Sequence, residues 1–287
     1  MTSHPVVSVI VPAYNSAPLL RDFLGACAAS EFRDFEVIIN DDPRSADGTP
    51  ALVEEFRAGG LDITYLRENR SIAHGRKRGA VEARGSLLLH LDSDMKVTPG
   101  LIGECARLLG DDGGHDAVVI PEESFGTTFW ARCKWLEKKI YDGVEQIESL
   151  RGVRRDVYEK LGGHDERMIF SEDKDFDLRV RKAGYRIGRT RAFLYHNEGE
   201  LRLQKTMRKK LGYSHTADLF AREHPEAFRW QTNIFNRFGL YLKNFPYAFS
   251  HPLLYGGLWV MKTGEFGSGA IGRLRQLAAR RTPGGPA

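Results

Sequence analysis

The chain has 287 residues, of which 41% are hydrophobic and 28% are charged, and its formal net charge is +4. This composition is typical of a globular protein and excludes collagen-like, disordered and coiled-coil chains. No run of about 18 apolar residues occurs, which excludes a conventional membrane-spanning helix. Three widely separated cysteines lack the spacing of a zinc or redox motif. With a start that does not read as a secretory leader, they predict a cytoplasmic protein.

Short apolar runs alternate with helical patterns along the first two thirds of the chain. The predicted strands are Val6–Val11, Phe35–Ile39, Ile63–Leu66, Leu87–Leu91, Ala117–Ile120 and Ala192–Tyr195. The predicted helices between them are Pro18–Ala29, Pro50–Ala58 and Ser71–Ala83. This alternation predicts βαβ units and a mostly parallel sheet with helices on both faces.

Two later segments have a helical or basic character. The stretch from Thr127 to Leu150 has apolar residues at helical spacing, which is typical of core packing. Beyond residue 200, five basic residues lie within ten residues that contain no acid, and an aromatic segment follows from Phe235 to Val260. We therefore predict an α/β domain over residues 1–199 and a helical extension over residues 200–287. The Gly267–Gly272 segment has dinucleotide-fingerprint spacing but lacks a preceding strand, so we expect a loop there.

An acidic pair, Asp92 and Asp94, directly follows the predicted strand Leu87–Leu91. In parallel sheets, ligands bind at the carboxyl ends of the strands, where this chain also has Tyr14-Asn15 and Asp41-Asp42. Two carboxylates at this spacing can converge on Mg²⁺ or Mn²⁺, which prefer oxygen ligands. An Asp-rich turn after a strand is also common, so the pair alone leaves both interpretations open.

Six short motifs, taken together, resemble the family 2 glycosyltransferases in their order and spacing. They are Val7–Asn15, Glu36–Asp42 with Ala46–Thr49, Gly75–Gly79, Leu91–Asp94, Gly162–Glu166 and Glu172–Ile187. The resemblance covers roughly residues 6 to 197. It implies a GT-A fold, in which a Rossmann-like, mostly parallel sheet is flanked by helices. The nucleotide-binding half would be about residues 1–95 and the acceptor half about residues 96–199.

The resemblance also implies a donor site and a divalent cation. The residues that would contact the nucleotide sugar are Pro12, Ala13, Tyr14, Asp41, Asp42, Arg76, Asp92 and Asp94. Within this set, Asp41 or Asp42 would accept a hydrogen bond from the base, and Arg76 would contact the diphosphate or help close the donor site. Asp94 would bind Mn²⁺ or Mg²⁺, with Asp92 beside it near the ribose.

Two further residues have roles implied by the resemblance and a simpler alternative. His196 would be an additional metal ligand, or a histidine that is hydrogen-bonded at a strand end. Asp173 would be the general base that deprotonates the acceptor. It also lies in the first turn of a predicted helix capped by Ser171, where an acid can simply stabilise the helix dipole. We expect this simpler role for Asp175.

These residues predict a metal-dependent, inverting transfer of a hexosyl or N-acetylhexosaminyl group. The donor would be a nucleotide sugar, most simply a UDP-sugar, and the acceptor a hydroxyl of a glycan, a lipid-linked sugar or a small molecule. A cation neutralises the leaving diphosphate and a carboxylate deprotonates the acceptor. Two alternatives remain open: a sugar-nucleotide-binding protein with a degenerate site, and a nucleotidyltransferase. The latter would be expected to carry a Gly-rich phosphate loop where this chain has Pro12–Asn15.

The basic and aromatic extension has more than one interpretation. It is either a solvated helix face or, over residues 201–281, a membrane-surface patch, because Arg and Lys beside aromatic residues suit an anionic headgroup zone. The second interpretation places the protein peripherally on the inner face of a membrane. A nucleic-acid partner is not expected, although these residues alone do not exclude one.

Overall fold

The computed structural model describes residues 5–169, 171–213 and 217–281. The chain forms two compact units. Unit 1 comprises Met1–Glu122 and Glu148–Asn197, and unit 2 comprises Glu123–Ile147 and Glu198–Ala287. Within the described ranges, no helix combines the length and apolar composition needed to cross a bilayer.

Ten strands are present in the described part of the chain. In chain order they are β1 (Val7–Ala13), β2 (Phe35–Asp41), β3 (Ile63–Leu66), β4 (Leu87–His90), β5 (Met95–Val97), β6 (Ala117–Val119), β7 (Glu122–Phe125), β8 (Leu150–Arg154), β9 (Ile187–Arg189) and β10 (Leu194–Asn197). The main sheet of unit 1 has the order β3-β2-β1-β4-β8-β6-β9. Strands β1 to β4 are parallel, and β8 is antiparallel to both of its neighbours. Strand β5, which begins directly after Asp94, pairs antiparallel with β10.

The helices of the described residues fall into both units. In chain order they are α1 (Ala17–Ala28), α2 (Thr49–Ala58), α3 (Ile72–Glu82), α4 (Leu101–Leu109), α5 (Phe129–Tyr141), α6 (Arg155–Lys160), α7 (Glu172–Lys182), α8 (Leu203–Tyr213), α9 (Ala217–Glu223), α10 (Pro225–Thr232), α11 (Ile234–Lys243), α12 (Pro246–Ser250) and α13 (Pro252–Arg281). Helix α5 and helices α8 to α13 belong to unit 2. The predicted α/β class, with a mostly parallel sheet flanked by helices and a helical C-terminal part, is confirmed.

The central strands of unit 1 are buried on both faces, which is why they are continuous apolar runs rather than alternating ones. Successive side chains point to opposite faces, so Val9 and Val11 join the cluster that contains Phe23 of α1. Ile10 points the other way and packs with Ile38 on the α3 side. This two-sided burial holds the carboxyl ends of β1, β2 and β4 at one edge of the sheet.

Helix α5 shows how the tertiary structure departs from the predicted division of the chain. Part of its predicted apolar stripe, Cys133, Leu136 and Ile140, is buried, and it packs on α13, where Cys133 and Leu136 share a core with Leu258 and Met261. A Cβ added at Gly257 of α13 would lie 2.6 Å from the sulfur of Cys133, so the two helices approach closely. Residues 123–147, which the sequence analysis assigned to the acceptor half, therefore cluster with the C-terminal helices.

Three local predictions are wrong. The segment Gly267–Gly272 is not a loop but part of the long helix α13, because helical neighbours on both sides continue through it. The helix predicted up to Leu150 ends at Tyr141, and Leu150 begins the buried strand β8. Ser171 does not cap α7 through its side chain, because its backbone is left-handed, with φ of 64°.

Candidate functional site

The loops after β1 and β2 are tied together at the carboxyl edge of the sheet. The backbone N–H of Asn15 donates to the hydroxyl of Ser45 at 3.0 Å, and the side-chain oxygen of Asn15 accepts from the N–H of Ala46 at 2.9 Å. Asp47 accepts from the N–H of Ala17 at the start of α1. These reciprocal bonds give a short, well-defined loop pair on which the predicted nucleotide-contacting residues lie.

The two acids predicted to recognise the base, Asp41 and Asp42, are both buried, and both already accept hydrogen bonds from protein groups. The carboxylate of Asp41 accepts from the hydroxyls of Ser45 at 2.6 Å and Tyr65 at 2.8 Å. Asp42 accepts from the backbone and guanidinium of Arg44, which lowers its pKa to about 2. A base that bonds to either acid would have to share or displace one of these donors, so this role stays a prediction.

The predicted nucleotide pocket residues after β1 differ in accessibility. Pro12 and Ala13 are buried, whereas Tyr14 is more than half exposed and its ring lies 5.6 Å from the guanidinium carbon of Arg44. A Cβ at Gly75 of α3 would lie 2.8 Å from the Cβ of Pro12, so only glycine lets α3 approach this loop. An exposed tyrosine beside an arginine is a surface on which a flat base can stack.

Arg76 joins the loop after β4 to the start of α7. Its side chain is only 2% exposed, and its Nη2 donates to Oδ1 of Asp92 at 2.7 Å. Its Nη1 donates to Oε1 of Glu172 at 3.0 Å. A buried guanidinium needs carboxylate partners, and here the two partners come from two different predicted motifs.

Arg151 of β8 holds the other oxygen of Asp92. Its Nη1 donates to Oδ2 at 3.1 Å, and its Nε and Nη2 donate to Glu122 at 3.0 and 2.7 Å. Burial alone would raise the pKa of Asp92, but the charges of Arg76 and Arg151 lower it to about 2. Asp92 is therefore ionised at neutral pH, with an arginine on each side of its carboxylate.

His196 of β10 links the same network to Asp94. Its Nε2 lies 3.3 Å from Oδ2 of Asp94 and its Nδ1 lies 3.4 Å from Oε2 of Glu122. Burial alone would lower the pKa of His196, but hydrogen bonds to these two carboxylates raise it to about 10. The backbone N–H of Asn197 donates to the carbonyl of Asp94 at 2.9 Å, which fixes the turn between Asp92 and β5.

The residues around Asp94 fit a divalent cation in chemistry. Oδ1 of Asp94 is buried and accepts no hydrogen bond from the residues that the structure describes, although unpaired buried acceptors are uncommon. An imidazole nitrogen and a carboxylate lie beside each other, a donor set that Mn²⁺ accepts. No cluster of three or more acidic, histidine or cysteine ligands is preformed within the described residues. Both oxygens of Asp92 accept from arginines, so its role as a metal ligand stays a prediction.

Asp173 lies in the same neighbourhood as the Asp92 loop. Burial alone would lower the pKa of Arg76 and Arg151, but surrounding carboxylates, Asp173 among them, raise it. Asp173 therefore lies within electrostatic range of both guanidiniums. Its neighbour Glu172 is buried, and burial together with the Asp173 charge raises the pKa of Glu172 to about 7.

Asp175, expected to act only on the helix dipole, has a further contact. Its carboxylate accepts from Arg179 at 2.7 and 3.0 Å, and Arg179 also donates to the carbonyls of Leu161 and Gly163. The ion pair of Asp175 with Arg179 therefore links α7 to the preceding turn, which contains Gly163.

Sequence reasoning missed three members of this site: Glu122, Arg151 and Glu172. Glu122 and Arg151 lie in the short strands β7 and β8, which lack the β-branched runs by which strands are recognised. Glu172 was visible as the residue before the predicted base, but nothing local indicates its bond to Arg76. The burial of Arg151 within a strand implies a charged partner, but that burial is known only from the structure.

Comparisons with known proteins place these observations in a wider context. Residues 8–166 match the family model described as glycosyl transferase family 2. The chain is 33% identical over 177 residues to the uncharacterized glycosyltransferase YfnE of Bacillus subtilis (strain 168), an alignment that covers 60% of this chain and 43% of YfnE. It is 29% identical over 114 residues to GalNAc(5)-diNAcBac-PP-undecaprenol beta-1,3-glucosyltransferase of Campylobacter jejuni, covering 39% and 37% of the two chains. The chain thus spans less than half of either relative.

A solved structure matches nearly the whole chain. It is the mannosyltransferase PcManGT from Pyrobaculum calidifontis in complex with GDP-Man and Mn²⁺, with a TM-score of 0.65 and 20% sequence identity. The match covers 95% of this chain and 88% of that one. At this identity the similarity shows a common fold, and the predicted GT-A fold is confirmed.

Proposed function

Because the chain belongs to glycosyl transferase family 2, we propose that it is a metal-dependent, inverting glycosyltransferase. It transfers a hexosyl or N-acetylhexosaminyl group from a nucleotide sugar, most simply a UDP-sugar, to an acceptor hydroxyl. The observation that carries this proposal is the ionic network in which Arg76 bonds both Asp92 and Glu172. It brings together the carboxylate that follows β4 and the helix that bears the proposed base, as a single displacement requires.

The proposed donor site contains buried arginines that can stabilise the negative charge of a diphosphate. Two buried guanidiniums, Arg76 and Arg151, lie at Asp92, and positive charge held in a buried site stabilises a leaving diphosphate. Asp94 and His196 would hold Mn²⁺ or Mg²⁺, which supplies further neutralisation of the diphosphate when bound. For His196 to bind a cation it must give up one of its two ring protons, which face Asp94 and Glu122, because a metal-ligating imidazole is neutral.

Asp173 is the proposed general base. Glu172 accepts a hydrogen bond from the buried Arg76. The carboxylate of Asp173 instead accepts a hydrogen bond from the adjacent backbone N–H of Lys174, at 2.7 Å. An ionised Asp173 can take the proton of the acceptor hydroxyl as it attacks the anomeric carbon. One base on the acceptor side and one charge-stabilising cluster on the donor side suffice for inversion.

The acceptor is proposed as a hydroxyl of a glycan, a lipid-linked sugar or a small molecule. The Campylobacter jejuni relative acts, by its name, on an undecaprenol-linked sugar, which supports the lipid-linked class. Because a lipid-linked acceptor lies in a membrane, we propose that the protein is cytoplasmic and lies peripherally on the inner face of a membrane.

The decisive experiment is a donor panel. UDP-, GDP- and dTDP-sugars are mixed with the purified protein and Mn²⁺, and both the thermal shift and the release of nucleoside diphosphate are measured. We expect a UDP-sugar to raise the melting temperature most and to release UDP. A shift without release in the presence of any acceptor would instead support a degenerate sugar-nucleotide-binding protein. Release of pyrophosphate from a nucleoside triphosphate and a sugar phosphate would support a nucleotidyltransferase.

A further inference from the structure

Unit 2 exposes a row of large apolar side chains that its core does not use. The row, here called the apolar strip, consists of Phe235, Leu242, Phe245, Phe249 and Leu253. Phe235 is 82% exposed, Phe249 and Leu253 are each 79% exposed, and Leu242 is 62% exposed. Single exposed apolar residues are ordinary, but five within nineteen residues of chain form a patch that needs a reason.

The strip lies on the outward side of elements whose inward side is already packed. In α11, Phe238 stacks on Trp259 of α13 and Tyr241 meets the same ring edge to face, inside unit 2. Phe235 and Leu242 are seven residues apart, so they lie on one side of that helix, next to the side that carries Phe238, and both are exposed. The strip is therefore surplus to the folding of unit 2.

Helix α12 continues the strip: its partly buried residues Tyr247 and Ala248 pack against the core of unit 2, whereas Phe249 faces outward. None of its residues, Pro246–Ser250, is fully buried. The rings of Phe245 and Phe249 meet edge to face, with centroids 5.3 Å apart, so these two members of the strip are adjacent. A short helix kept in place while its phenylalanines face outward is the arrangement expected of an interfacial anchor.

The positive charge near the strip favours an apolar partner with an anionic surface. No Asp or Glu occurs between Glu226 and Glu265, while Arg229 and Lys243 are exposed in that interval. Lys243 directly follows Leu242 and lies two residues before Phe245. Aromatic rings flanked by cations suit the headgroup zone of an anionic bilayer, where rings enter the acyl boundary and cations meet lipid phosphates.

We propose that the apolar strip docks unit 2 on an anionic bilayer by inserting its phenylalanines and leucines into the interface. The strip lies within the patch predicted over residues 201–281 but outside its densest basic run, which extends from Arg202 into α8, a helix that packs on α13. Insertion of apolar area is a hydrophobic contribution that salt does not screen. Binding should therefore keep a salt-resistant component.

The test is co-sedimentation with vesicles, which needs neither donor nor acceptor. Wild type is mixed, at low and high salt, with phosphatidylcholine vesicles that contain or lack about 30% phosphatidylglycerol. We expect binding to the anionic vesicles that weakens but persists at high salt. The double substitution Phe235→Ser with Phe249→Ser should reduce the partition coefficient at least tenfold, since each ring contributes more than about 1 kcal/mol.

The control is Val81→Ser, which removes a 70% exposed apolar residue on α3 of unit 1 and should bind vesicles like wild type. Melting temperature and donor-induced thermal shift should be unchanged in both variants. The proposal is overturned if wild type does not bind, if the double variant binds equally, or if high salt removes all binding. It is also overturned if wild type is a stable dimer without lipid and the double variant is a monomer, since the strip would then cover a second copy. Activity on a soluble acceptor is measured separately, so failure here removes the membrane location proposed above and leaves the proposed transfer reaction standing.

Discussion

Asp92 and Glu172 are joined by a single guanidinium, because Arg76 donates 2.7 Å to one and 3.0 Å to the other. The first residue lies just after strand β4 of the sheet, and the second begins α7. Arg76 is almost fully buried, so neither carboxylate can leave it without stranding a buried charge. The spacing between the proposed donor-side carboxylates and the proposed base is therefore held by a bond rather than by loop packing alone.

The proposed roles of Asp94 and Asp173 make matched substitutions informative. Asp94→Ala and Asp173→Asn should each lower kcat by about 10²-fold or more, the range expected for a lost base or charge-stabilising group. Initial rates of nucleoside diphosphate release measure this. Asp112→Asn, at an exposed turn of unit 1, is the control and should behave like wild type. Near-normal turnover in either test variant, with an unchanged melting temperature, would remove that residue's role.

Metal dependence has its own measurement. Dialysis against EDTA should stop transfer, and Mn²⁺ or Mg²⁺ should restore it. His196→Gln should raise the Mn²⁺ concentration that gives half-maximal activity, because an imidazole ligand next to Asp94 is lost. Full activity in metal-free buffer would contradict the proposed cation, and an unchanged Mn²⁺ requirement in His196→Gln would contradict only the role of the histidine.

Arg151 should matter for stability beyond any effect on rate. Arg151→Ala removes the guanidinium that bonds Glu122 and one oxygen of Asp92, and removal of one partner of a buried pair costs about 3–5 kcal/mol. Urea unfolding of wild type and variant gives the difference. Arg154→Ala on the same strand is the control, because its partner Asp156 is exposed and such pairs contribute about 1 kcal/mol or less. Equal costs for the two variants would argue against a special role for Arg151.

Glu172 predicts a specific pH dependence. Its pKa is raised from the ordinary 4.5 to about 7, so the folded chain holds this proton more tightly than the unfolded chain does. The associated stabilisation is complete below about pH 4.5 and is lost as the pH rises through about 7. The free energy of unfolding of wild type should thus fall, relative to Glu172→Gln, by on the order of 2–3 kcal/mol over this window. Parallel stability curves for the two proteins would show that Glu172 titrates normally.

Much of unit 1 was readable from local patterns. The strands β1, β2, β3, β4 and β6 are β-branched or leucine-rich runs bounded by turn residues, and their alternation with helices predicted the parallel sheet. The acid pair after β4 and the motif order then pointed to the carboxyl edge of that sheet. Strands of three to five residues with charged members, such as β8, gave no such signal.

The sequence by itself determined which faces are apolar, because periodicity reports how each segment meets its immediate surroundings. Only the tertiary structure decided which faces meet: that α5 packs on α13, that Arg76 reaches Glu172, and that Arg151 reaches Asp92 and Glu122. It also decided that the row from Phe235 to Leu253 is left outside the core. Such pairings depend on contacts between residues far apart in the chain, whose free energy is realised only when whole elements pack, and a local pattern carries no record of them.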